Sequence, residues 1–164
     1  MRNMTFAFAL TLMLPALPAL AATAAKPAAA PADTQTVTGG CTQRSNTSYG
    51  GLKAAPTDVK TMFVCDSAVI TFADAKRQAV TVEFGLSGGK KDSKVLGLIG
   101  AMGKDGVTMK VSQMYMVKGI VNPADDGTCK LTFAGRAVTA ADCSASMHQD
   151  NNRWAASVVF KAIK

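Results

Sequence analysis

The chain has 164 residues with 18 basic and 11 acidic side chains, a net charge of +7 that favours anionic partners and disfavours strongly basic ones, although the same excess also serves solubility. A single histidine, His148, and a single glutamate, Glu83, leave little for acid–base or nucleophilic catalysis.

At the N-terminus, Arg2 and Asn3 precede an apolar run from Met4 to Leu14, and Ala19-Leu20-Ala21 supplies small residues at a cleavage position. This reads as a signal peptide over 1–21. The run is too short and too proline-broken to span a membrane, and no later window is long and apolar enough. A lipid anchor would need a cysteine directly after the apolar region, yet the first is Cys41. The expected destination is therefore a bacterial periplasm or the cell exterior, with no transmembrane segment. Residues 22–38 are Ala/Pro-rich and read as a flexible tether, leaving 39–164 as one domain with enough residues for one core.

Four cysteines in an exported chain read as two disulfides. The favoured pairing is Cys41 with Cys65 and Cys129 with Cys143, because the second pair flanks a hairpin whose midpoint falls at Gly135-Arg136. Zinc is disfavoured by the absence of any C-x-x-C spacing.

Along the domain, Gly39 to Thr61 is loop-like, with paired glycines and Pro56. Met62 to Phe72 holds one or two short strands. Ala79 to Leu86 alternates, with Val80, Val82, Phe84 and Leu86 on one face. Val95 to Met102 and Val107 to Val117 form two strands about a turn at Gly103-Lys104-Asp105-Gly106, the second with Met109, Val111 and Tyr115 on its core face and Met114 and Met116 opposite. Strands at Thr128 to Ala134, Arg136 to Ser144 and Trp154 to Ala162 complete the pattern. The spacing predicts an all-β domain, a single antiparallel β-sandwich or small barrel of about seven or eight strands stapled by two disulfides.

In a meander, Lys76, Arg77 and Lys104 share one end of the sheet, while Lys90, Lys91 and Lys94 share the other as a candidate anion-binding cluster. This dilution, and the lack of closely spaced aromatics, argues against nucleic acid. His148 lies in a polar stretch read as a loop, and no G-x-S-x-G elbow marks a serine. Ser87-Gly88-Gly89-Lys90 matches S-x-x-K but sits in a turn rather than at a helix start.

Met114 and Met116, two apart in a strand, point the same way and could hold a soft cation such as Cu(I) or Ag(I), with His148 as third ligand and Trp154 as a cation–π cover. By residue type this set resembles the Met/Met/His/Trp site of the small periplasmic copper chaperones that feed silver/copper efflux pumps, which are β-barrels; the likeness is confined to these four residues. The first functional reading is a non-enzymatic envelope binding or accessory protein with an anionic or protein partner and no cofactor. A Cu(I) carrier is the second and a small hydrolase the third.

Overall fold

The computed structural model describes residues 33–51, 59–88, 94–117, 119–149 and 151–163. They form β1 (Asp33–Cys41), β2 (Asn46–Gly51), β3 (Val59–Met62), β4 (Ser67–Phe72), β5 (Ala79–Gly85), β6 (Leu96–Met102), β7 (Thr108–Tyr115), β8 (Asn122–Pro123), β9 (Asp126–Ala134), β10 (Ala137–Gln149) and β11 (Asn152–Ala162). The order β1-β4-β5-β6-β7-β9-β10-β11 is closed by pairing of β11 with β1, so the sheet is an antiparallel barrel.

Eleven strands fill eight positions in the wall. β1 and β2 lie end to end along one edge of β11, where Cys41 faces Phe160 and Asn46 faces Ser157. On the far edge β4 pairs with β1 and β3 with β2. β1 with β2, and β3 with β4, are thus two kinked staves. The Cys41–Cys65 disulfide joins the two kinks, where the Cys41 N–H also donates to the Cys65 carbonyl at 3.1 Å. Cys129 and Cys143 sit directly opposite each other in the β9–β10 register and are bonded, as the hairpin spacing requires. Two disulfides in so short a chain mark an oxidising, extracytoplasmic location.

The alternation of the sequence becomes the two faces of the wall. Ile70, Phe72, Val80, Val82, Phe84, Leu96, Leu98, Leu131, Val158 and Phe160 fill the interior. Exposed strand positions carry polar groups, among them Thr34, Thr36, Lys110, Thr128 and Lys130. This is the reverse of a lipid-spanning barrel, whose apolar face is outward. No helix among the described residues is long and apolar enough to cross a membrane.

Three sequence expectations are corrected. Asp33 to Thr38, expected in the tether, pair with β4, and the stretch after Gly39 expected to be loop-like contains β2, with β3 beginning at Val59. These strands are polar because only one of their faces meets the core, and their backbone bonds to better-patterned neighbours hold them. The expected signal peptide over 1–21 and the rest of the expected tether, 22–32, lie outside the described residues.

The second correction is in β7. Ile99 faces Gln113 but Gly100 faces Val111, so Ser112 is the extra residue of a bulge. A bulge reverses the alternation beyond it. Val111 and Met114 therefore both enter the core, at 3% and 0% exposure, while Tyr115 is turned to the outer face. Gly100 permits the close approach, since a Cβ there would lie 2.0 Å from the Lys110 carbonyl oxygen. Third, Leu86, placed with the core-facing residues of its strand, lies beyond the end of β5 and is exposed.

Candidate binding cleft at the open end of the barrel

The two ends of the barrel differ. At the end carrying the β4–β5, β6–β7 and β9–β10 turns, Arg77 closes the interior. Its guanidinium lies 4.0 Å from the centroid of the Phe72 ring, pairs with Asp33 at 2.5 Å and donates to the Arg136 carbonyl at 3.2 Å. Arg77 reaches this position from a left-handed backbone conformation, φ 57°. Its side-chain hydrogen bonds, opposed by partial desolvation, hold the Asp33 carboxyl below the usual carboxylate range. A depression of about 500 Å³ remains here, lined by Lys76, Arg77 and Lys104, the three cations expected to share an end.

The opposite end is open. β5 ends at Gly85, level with Ser67 of β4, so β3, which continues the β4 stave past its kink, has no β5 residue beside it. Into this gap opens a mostly apolar cleft of about 440 Å³. One side is built by Tyr49, Val59, Thr61, Phe63 and Trp154, and the other by Lys94, Val95, Met116 and Val117. Period two explains the first side. Val59, Thr61 and Phe63 alternate along one face, and Thr61 and Val59 face Thr47 and Tyr49 across β2–β3. Tyr49 in turn faces Trp154 on β11, with ring centroids 4.2 Å apart. Lys94 is the cation on the lining.

Three large apolar side chains of the lining remain in water: Val59 is 67% exposed, and Tyr49 and Val117 are exposed as well. Exposed apolar side chains at a concave, mostly apolar site are a mark of a binding site.

Compared with protein-family models, curated proteins and solved structures, the chain matches none.

The residues singled out from sequence are distributed as follows. Met114 is fully buried in the core, whereas Met116 is partly buried and lines the cleft with Trp154. His148 is in β10 rather than in a loop, and its neighbour Met147 faces inward while His148 is exposed. The His148 Nδ1 contacts the Asp125 carboxylate, which ties the chain beyond β8 to the end of β10. Met114 and His148 thus leave opposite faces of the wall and do not converge. Among the described residues no group of three or more His, Cys, Asp or Glu is placed to hold a metal ion. Lys94 lines the cleft, and Lys90 and Lys91 lie outside the described residues.

Tyr49 and Phe63 are the aromatic cleft residues that sequence reasoning missed. Tyr49 stands in a Gly- and Ser-rich stretch with no clear alternation, and its only signal was an isolated aromatic in a polar segment.

Proposed function

We propose that this chain is a non-enzymatic binding or accessory protein of a bacterial envelope, exported to the periplasm or cell exterior, whose open-end cleft takes the apolar part of an anionic partner. The aromatic-lined cleft with Lys94 on its wall carries this reading. The base excess of the whole chain supports it, since long-range attraction raises the encounter rate with anions. The thin set of catalytic residue types supports the non-enzymatic part.

Trp154 is the only tryptophan and lines the cleft, so energy transfer from it to an apolar anionic dye is strongest for dye bound there, and the Val59→Asp variant localises the signal. Anilinonaphthalene sulfonate is expected to bind once per chain, to quench Trp154 and to weaken as salt rises. Val59→Asp places a carboxylate at an exposed cleft position and should weaken the dye about tenfold or more, the equivalent of about 1.4 kcal/mol. Equal binding by wild type and Val59→Asp would refute the proposal.

A Cu(I)-carrier reading keeps one support, the thioether of Met116 beside Trp154 in the cleft. An anaerobic Cu(I) competition titration tests it with Met116→Leu. Tight one-to-one binding lost in that variant would make copper the ligand.

A further inference from the structure

We infer that the open end binds its partner by strand addition: an extended, acidic peptide segment of another protein pairs with the free edge of β3 and places alternate side chains in the cleft. This rests on the binding reading above and names the partner's chemistry.

The first observation is the gap in the wall. Among the described residues β3 is hydrogen-bonded to one strand, β2, as the two-residue β8 is to β7, whereas the other nine strands pair on both sides. The Phe63 N–H donates to the Ser45 carbonyl on the β2 side. Backbone groups alternate in direction along a strand, so Thr61 also faces β2, while Lys60 and Met62 aim their N–H and carbonyl groups at the free edge. These groups recognise an extended backbone and little else.

The second observation is the side-chain register. Residues whose backbone faces β2, namely Val59, Thr61 and Phe63, line the cleft. A strand laid along β3 would alternate in the same way, sending every second side chain toward Phe63, Met116 and Trp154. Main-chain bonding for affinity and pockets for alternate side chains are the two components of strand addition. Native edges are usually blunted by charge, proline or covering. This one carries Lys60 but also leaves Val59, Met62 and Val64 in water.

Charge selects the partner. Lys60 on the free edge and Lys94 on the cleft wall would lie on either side of the added strand, within a chain of net charge +7. A second copy of this chain would bring the same cations together, so an acidic segment is the better match.

The test uses a blocked octapeptide of alternating valine and glutamate, with a block-ordered peptide of the same composition as control. The alternating peptide should bind the whole mature chain, protect the Lys60 and Met62 amides from exchange, and displace the dye. Met62→Pro deletes one outward N–H without touching the β2 ladder, a substitution tolerated at an edge. It should weaken the peptide about tenfold while Met62→Ala, which keeps the N–H, stays near wild type. Dye binding should persist in Met62→Pro, and this separates the two readings. Dye retained with equal binding of both peptides, no peptide binding, or Met62→Pro indistinguishable from Met62→Ala would overturn strand addition while leaving the cleft. Loss of dye binding in wild type would overturn both. Dimers that dissociate in Met62→Pro would make a second copy the occupant and overturn the peptide assignment.

Discussion

Tyr115 lies over Gly97 on the outer face of the barrel, and its hydroxyl donates to Glu83 Oε2 at 2.5 Å. Gly97 faces Tyr115 on one side and Glu83 on the other, so one phenol spans three strands, β7, β6 and β5. A Cβ on Gly97 would meet the ring at 1.9 Å, which makes the glycine a seat for the ring. Gly97→Ala should displace Tyr115 and destabilise the fold by about 1–3 kcal/mol. Tyr115→Phe should cost about 1–2 kcal/mol through the lost hydrogen bond to a charged acceptor. Urea unfolding checks both, and the double variant should lose less than the sum because the two sites form one contact.

The same contact has an alkaline signature. Burial first, then the hydrogen bond and charge of Glu83, push the Tyr115 phenol well above its ordinary value of 10.0. A group with a raised folded pKa contributes stability that is intact below its unfolded pKa and lost as pH rises through the folded one. Of the two tyrosines, Tyr115 should therefore ionise at 295 nm only well above pH 10, in step with unfolding. A phenol at Tyr115 titrating near its ordinary value would contradict the contact.

Acid sensitivity comes from the turns. Asp66 accepts from the Ser87 N–H and hydroxyl, Asp74 from the Ala79 and Gln78 N–H groups, and Asp105 from the Thr108 and Val107 N–H groups. Backbone donors first for Asp66 and Asp74, and the Thr108 hydroxyl first for Asp105, hold these carboxyls below the usual 3.8. Because each folded value is depressed, the stabilisation is present above the unfolded pKa and lost as pH falls through the folded one. Thermal midpoints should be level at mildly acidic pH and drop below about pH 4. Asp74→Asn and Asp105→Asn should flatten that drop.

Met114 is core packing, so Met114→Ala should destabilise by about 2–5 kcal/mol. Met114→Leu should cost under about 1.5 kcal/mol. Chemical denaturation compares them, and a loss of metal binding in Met114→Ala alone would report unfolding rather than ligation.

Removal of the Cys129–Cys143 bridge by a double serine substitution should cost about 3 kcal/mol, given its short loop of sequence separation 14. Non-reducing peptide mapping should recover Cys129 linked to Cys143, and Cys41 linked to Cys65.

The sequence by itself determined the β class, the hairpin register that pairs Cys129 with Cys143, and the core face of β5, because period-two alternation and turn residues are local signals. It also separated Lys76, Arg77 and Lys104 from Lys94, since a meander alternates its turns between ends. Only the tertiary structure decided where β7 changes face, because a bulge is one unpaired residue, Ser112, visible only against the register of β6. Only tertiary pairing made strands of the polar segments Asp33 to Thr38, bonded to β4, and Asn46 to Gly51, bonded to β11 residues more than a hundred positions away. The cleft follows from that pairing: β5 is shorter than the stave beside it, and Tyr49, Phe63 and Trp154 on one side meet Met116 on the other around the gap past Gly85, a lining that no local pattern could assemble.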